Sequence, residues 1–436
     1  MAKRQYFDYL KDYRVKIIRF FILLMLSSTI GSIGSTLHAQ TLTLQDCVQK
    51  ALRTHPDIKR FILQVRRSKK EIDIAQADYL PQISLNAEYD PTRTYVMPVN
   101  DMFRTRNSDG WQVGATLKQK IWDFSKTSSL IKAQETRVEI ANLSLKDAKA
   151  LLAYKVKLQY ELTFVQEKVI AVREKDLQAK EELYNQAKAL AEQGLKTRAD
   201  ATRFLSSTAV AKDNLSIADS SFIKAKTVLS LYIDEPIPKG VKFEDDTIKP
   251  DTHPANEETM LQDSPALQGL QKNIERSKLL HKVTKASHSG SIDAIASYAY
   301  QDTLNAYDSS LVGVMLNIPF YNGGRLFAQE EQAIIDRESA KNEYEAKVLA
   351  LKEEFESLLI DLKSYGQTIK AKSSQLEAAR QTKDVVNGRY KEGLSTYIEV
   401  LDATALMLDA QLGLLQANYN RNSTIHRLDY LQGNTE

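Results

Sequence analysis

The sequence predicts a mainly α chain with a minority of β strands, organised as a tandem repeat of long coiled-coil helical hairpins. Three observations predict it. The chain resembles itself at a period near 200 residues, two proline-free stretches each exceed a hundred residues, and four short segments alternate between apolar and polar positions. Glycine (16) and proline (10) are scarce in 436 residues, and 26% of the residues are charged, a balance that favours long helices over loop-rich β structure.

The repeat fixes the organisation. His55-Pro56-Asp57-Ile58 is echoed by Ser264-Pro265-Ala266-Leu267, and Arg67-Ser68-Lys69 by Arg276-Ser277-Lys278, at an offset of 209. Gly114 and Leu117 match Gly313 and Leu316 at an offset of 199, as do Ile121-Trp122 and Phe320-Tyr321, Lys126 and Arg325, and Gly194-Leu195 with Thr197 and Gly393-Leu394 with Thr396. The change of ten falls between the strands of the first half. Two copies of one architecture are the economical reading, with a first repeat over 40–233, a linker over 234–257 and a second repeat over 258–436. The linker holds Pro236, Pro238, Pro250 and Pro254, which end any helix entering it.

Each half reads as helix, strand, loop, strand, very long helix, glycine turn and long helix. Leu44–Tyr79 has helical periodicity. Strands follow near 82–90, with Ile83, Leu85, Ala87 and Tyr89 on one face, and near 110–121, with Trp111, Val113, Ala115 and Leu117 on one face; a polar loop separates them. The second half offers strands near 291–301 (Ile292, Ala294, Ala296, Tyr298, Tyr300) and 310–321 (Val312, Val314, Leu316, Ile318). Alternation over about nine residues fits a membrane barrel strand, and it also fits a half-buried soluble sheet. Leu151, Leu158, Val165 and Val172 recur every seven residues, as do Val348, Phe355, Leu362, Ile369 and Leu376, which means coiled-coil packing. The pattern from Lys126 to Glu192 predicts a helix of 67 residues, with hairpin tips near 194 and 393.

The first 39 residues stand apart. Lys3, Arg4, Lys11, Arg14, Lys16 and Arg19 precede an apolar run from Phe20 to Leu26, and small residues lead to Ala39: the order of a cleavable secretory signal cut near Ala39–Gln40. The apolar core is too short for a spanning helix, which needs about 20 residues. That segment carries six Lys/Arg and two Asp/Glu, so removing it turns the formal charge from +3 to −1, and no nucleic-acid partner is implied. Cys47, the single cysteine, is expected to be an inert core thiol.

Catalytic signatures are missing. The six histidines (His38, His55, His253, His281, His288, His426) show no metal-ligand spacing, and neither a phosphate loop nor a Gly-x-Ser-x-Gly elbow occurs. No cofactor, metal or catalytic residue is expected, and the chain does not read as an enzyme. Gly323-Gly324 reads as a turn after a strand rather than an anion site.

Leu42-Thr43-Leu44 with Ala51-Leu52 and His55-Pro56, the segment Asn317-Ile318-Pro319-Phe320-Tyr321-Asn322-Gly323-Gly324-Arg325, Tyr390-Lys391-Glu392-Gly393-Leu394, and the closing Leu428, Tyr430, Leu431 and Gly433 together resemble the TolC-like outer-membrane efflux proteins, from Thr41 to Gly433. The resemblance implies a homotrimer whose copies each give four strands to a 12-stranded β-barrel in outer-membrane lipid. Its helices form a periplasmic tunnel that meets a periplasmic adaptor protein and an inner-membrane transporter. It further implies that Asp200 and Tyr390 sit at gating contacts between coiled coils, and that Glu399 and Asp402 form acidic rings at the tunnel entrance. The family's well-studied member has an arginine where this chain has Ser395, and Arg198 or Arg389 are the substitute cations at hand. Asp200 and Glu399 also suit a plainer role, as helix-starting acids favoured by the helix dipole. A duct places Tyr89, Trp111, Trp122, Tyr300 and Tyr321 near the membrane interfaces. The competing reading is a periplasmic coiled-coil structural or adaptor protein without a pore.

Overall fold

A computed structural model of the chain describes residues 41–99, 102–244, 256–302 and 305–434. The expected signal segment 1–39 and much of the expected linker lie outside the described residues. Two compact units are distinguished. The described part of the smaller is a parallel pair of short strands, β1 (Thr41–Leu42) and β4 (Lys242–Phe243). β4 lies within the stretch read from sequence as linker.

The larger unit holds everything else. It opens with α1 (Leu44–Thr54) and α2 (Pro56–Ala77), two helices where the periodicity suggested one. The break is at His55, whose extended backbone (φ −61°, ψ 131°) is what a residue before proline prefers, and Pro56 then starts the next helix without needing its missing N–H. Cys47 packs inside α1 fully buried, and that burial, with Asp46 beside it, pushes its thiol up to about 12 against the pull of Lys50.

Next come β2 (Gln82–Val99) and β3 (Met102–Trp122), then α3 (Lys126–Glu192) and α4 (Arg198–Ile233). The second half repeats the order with α5 (Glu257–Asp263), α6 (Pro265–Ala286), β5 (Ser291–Asp302), β6 (Ala306–Asn317), α7 (Arg325–Lys391) and α8 (Tyr397–Leu431). Among the described residues, the stretch expected as a polar loop between the first two strands is strand, with a β-bulge between Asp90 and Arg93. Conversely, the last strand ends at Asn317. Ile318 and Tyr321 leave the sheet because Pro319 has no N–H to add to a ladder.

The four long strands form one antiparallel sheet in the order β2-β3-β5-β6. All four meet their helices at one end of the sheet. α3 pairs with α4 and α7 with α8, while α3 also packs on α8, joining the two hairpins.

The buried faces of α4 and α8 are built from small residues. Ala211, Ala218 and Ala225 on α4, and Ala403, Ala410, Ala417 and Thr424 on α8, are all buried at seven-residue intervals. Val165 and Val172 of the expected stripe are buried as well, whereas Leu151 and Leu158 are only half-buried. Alanine lets the partner backbone approach closely, and the sevenfold spacing keeps one face toward it.

Candidate functional site

At the α3–α4 and α7–α8 turns the chain reverses through Gly194 (φ 74°) and Gly393 (φ 78°), a left-handed conformation that glycine adopts without a Cβ clash. Each turn closes with a bond back to the ending helix, Leu195 N–H to Leu190 O at 2.9 Å and Leu394 N–H to Arg389 O at 2.8 Å. Both following helices start on a capping box. Thr197 Oγ1 accepts from Asp200 N–H at 3.2 Å, and the Asp200 carboxylate accepts from Thr197 N–H at 3.4 Å. Thr396 and Glu399 do the same at 3.3 Å each way. Asp200 and Glu399 thus start helices in each single chain. The Ser395 hydroxyl beside it, then the Thr396 N–H and Arg389, hold the exposed Glu399 carboxyl below its usual range. Asp402 is exposed one turn further on and makes no hydrogen bond or ion pair among the described residues.

Tyr390 is different. It is 1% exposed on α7 and enclosed with Leu183 and Ala187 of α3, Phe204 of α4 and Val400 of α8, so the cluster draws on all four long helices. Its ring meets Phe204 edge-on at 5.7 Å between centroids, and Lys196 Nζ lies 5.0 Å from the ring centre. Burial, and then Asp200, raise its phenol above the ordinary value, yet its hydroxyl has no hydrogen-bond partner among the described residues. No hydrogen bond joins Asp200 to Tyr390 within one copy. Arg389 is committed to the turn through Leu394 O at 3.3 Å, Ser395 is buried, and the cation on the aromatic cluster is Lys196. Phe204 and Lys196 escaped the sequence reading. Phe204 could have been found from its place seven residues before Ala211 in the buried series.

The sheet has two unlike faces. Residues paired across an antiparallel ladder share a face, so Ile83, Leu85, Ala87 and Tyr89 stand with Leu117, Ala115, Val113 and Trp111, and those in turn with Ala296, Tyr298, Tyr300 and Asp302. On β6 the row ends in Val312, Val314 and Leu316. Most of these side chains are bare in the single chain. The opposite face carries Ser84, Asn86, Glu88, Gln112, Thr116 and Lys118, with a mixed set on β5 and β6.

Trp111 and Trp122 would fall on opposite faces by count. A bulge at Ile121, where Lys120 faces Asp293 and Trp122 faces Ile292, returns Trp122 to the face of Trp111. Eleven residues of strand span about 36 Å, which at a usual barrel tilt of roughly 40° is a height of about 28 Å, close to the apolar band of an outer-membrane barrel. Tyr89, Trp111 and Tyr300 lie toward the hairpin end of that face, with the Trp111 and Tyr300 rings 5.2 Å apart. Trp122, 6.2 Å from Phe124, lies at the helix end of the same face, and Tyr321 lies beyond its strand, 84% exposed. Among the described residues no helix is long and apolar enough to cross a membrane, and no three His, Cys, Asp or Glu side chains are placed to hold a metal.

A family model described as outer membrane efflux protein matches residues 47–233 and 258–434, two segments that coincide with the two halves of the fold. The outer membrane efflux protein BepC of Brucella suis is 25% identical over 387 residues, covering 87% of this chain and 82% of that protein. The outer membrane protein TolC of Escherichia coli K12 is 24% identical over 411 residues, covering 88% and 80%. Among solved structures, the outer membrane protein VceC of Vibrio cholerae superposes with a TM-score of 0.79 at 16% identity, covering 89% of this chain and 96% of that one. With a two-faced strand sheet joined to paired long helices, and both halves matched by the family, the chain belongs to the outer membrane efflux protein family and serves as an outer-membrane efflux channel subunit.

Proposed function

We propose that three copies close into a passive duct that carries solutes from an inner-membrane pump, through a periplasmic adaptor, across the periplasm and outer membrane. The observation that carries this is the sheet: one apolar face and two unpaired edges, β2 and β6. Lipid offers no partner to an open edge, so each edge must find a strand. Because β2 and β6 run antiparallel to each other, β6 of one copy can continue onto β2 of the next, a head-to-tail contact that closes a ring. Three copies, the number the resemblance implies, give twelve strands. The bare Val210, Ile217 and Ile223 of α4, and Ile335, Leu349 and Ile360 of α7, supply apolar rows for neighbouring copies to cover.

At the tip, Tyr390 and Asp200 hold the entrance shut through the aromatic cluster and contacts to the next copy. Glu399 and Asp402 ring it with six carboxylates per trimer, a concentrated negative potential that favours cations. Fractionated membranes run on an unheated gel test the duct: the expected result is a membrane-bound trimer, whereas a soluble monomer returns the chain to the pore-less coiled-coil reading. In planar bilayers under a salt gradient, Glu399→Gln with Asp402→Asn should lower cation preference. Unchanged reversal potentials would remove both residues from the entrance.

A further inference from the structure

Beyond the apolar band the first hairpin continues as paired strands, and its positive charge is confined to one face. Past the bulge, Arg93 faces Ser108, Tyr95 faces Arg106 and Met97 faces Arg104, so all three arginines share a side. The other side presents Thr94, Val96, Pro98, Phe103, Thr105 and Asn107 and carries no cation; Asp109, opposite the bulge, is its charged residue. A Thr94–Asn107 hydrogen bond at 2.9 Å and the ion pair of Arg93 with Asp90 at 3.2 Å, each within one side, confirm the assignment.

Which side faces the pore follows from β3. The bulge adds its extra residue to β2, so β3 alternates without interruption from Arg104 through Arg106, Ser108, Gly110 and Gln112 to Thr116 and Lys118. The arginines therefore stand on the polar face, opposite to Trp111. Lower on that face the cations are spoken for, Lys118 by Asp293 at 3.3 Å and Lys120 by Asp123 at 3.8 Å. Arg104 and Arg106 make no ion pair among the described residues. Arg106 lies five residues past Trp111, about 17 Å along the strand and outside the hydrocarbon.

We propose that Arg93, Arg104 and Arg106 form an anion-binding collar inside the extracellular mouth, a site for multivalent phosphates or comparable polyanions. This rests on the duct reading, since only a closed ring brings the arginines of successive copies around one opening. Guanidinium groups bind phosphate oxygens through paired, charge-assisted hydrogen bonds. An acidic tip and a basic mouth would give the two ends of the pore opposite selectivity for blocking ions. An outer side without a cation, bearing Asp109, argues against lipid phosphates as the ligand.

The test is single-channel conductance of the mature full-length protein in zwitterionic bilayers, with tripolyphosphate added to each side in turn. Block is expected from the hairpin side, weakening as salt rises from about 0.1 M to 1 M and the screening length falls from about 10 Å to 3 Å. Arg104→Gln with Arg106→Gln should raise the half-blocking concentration about tenfold, as expected for losing focused charge at a constriction, while Thr94→Ala with Asn107→Ala leaves it unchanged. Equal block in the arginine variant overturns the collar. So does unchanged block combined with lost lipopolysaccharide binding, which would place the arginines outward. Intact trimers on an unheated gel show that the variants fold. Wild-type protein that forms no trimer and no conducting channel overturns the duct itself.

Discussion

The two halves of the chain agree where they pack and diverge where they do not. α2 and α6 are both 22 residues long, α3 and α7 are both 67, and α4 and α8 are 36 and 35. The strands are 18 and 21 residues in the first half against 12 and 12 in the second. One residue added to a packed helix turns everything beyond it by about 100° and spoils every contact downstream. Residues added at a hairpin end disturb nothing below. The strand-to-helix turns teach the complementary lesson. Gly323 and Gly324 take φ of 69° and 81°, and at the matching place Phe124 and Ser125 take 53° and 70° without being glycines. The first turn is held by the buried Asp123 carboxylate, which accepts from the Thr127 N–H at 2.9 Å and from the Thr127 hydroxyl. The geometry is obligatory; the residues that achieve it are not.

The sharpest break between the halves is at the tip. Tyr390 and Phe204 correspond to Ala191 and Ala403 in the opposite repeat, so the aromatic contact exists once per chain. Tyr390→Ala should cost roughly 3 kcal/mol or more, as for other large core aromatics, and raise single-channel conductance. Tyr390→Phe should do neither if packing holds the tip; a Phe variant that conducts like the Ala variant would show that the hydroxyl, paired with a neighbouring copy, holds it instead.

On the apolar face the halves should be equivalent. Leu117, Ala296 and Val312 form one row near mid-band, and Leu117→Arg or Val312→Arg should each cost about 2–4 kcal/mol per copy at that depth. Both should deplete the trimer band on unheated gels, while Leu311→Arg, one residue away on the other face, should not. A smaller contrast lies at the strand-to-helix turns. Gly324→Ala should destabilise by about 1–2 kcal/mol and Ser125→Gly should stabilise by up to about 1 kcal/mol, because only a Cβ is strained in the left-handed region. Thermal melting of the trimer reads both signs. Smallest of all, Thr197→Ala and Thr396→Ala should each cost about 1 kcal/mol by removing a cap. Hydrogen exchange at the two tips should then rise equally, and a one-sided rise would mean that the tips are not equivalent.

Much of this was legible in the sequence, for identifiable reasons. α3 can be read to its end residues because no proline interrupts it and Gly194 follows it. The sheet faces were legible where lipid demands alternation, and the hairpin extension was not, since beyond the membrane Arg93, Arg104 and Thr105 obey no such demand. The alanine seam was overlooked because alanine is a weak hydrophobic signal, so the leucine and valine positions of α3 drew attention first. At the tip, motif position led to Tyr390, but its partner Phe204 is an isolated aromatic until the fold brings it across. The buried set of Lys157, Glu161, His426 and Asp429 between α3 and α8 left no trace, because charged residues on a helix read as solvated.

The matched helix lengths carry a consequence for how such a chain can vary. Seven residues add about 10.5 Å of helix and return the buried face to where it was. A longer or shorter tunnel is therefore reachable only through whole sevens, inserted at the same height into α3, α4, α7 and α8 together. Any other insertion strands one helix out of step with three. The four helices act as a ruler graduated in single heptads, and the width of the aqueous gap they bridge is written into the chain in those units.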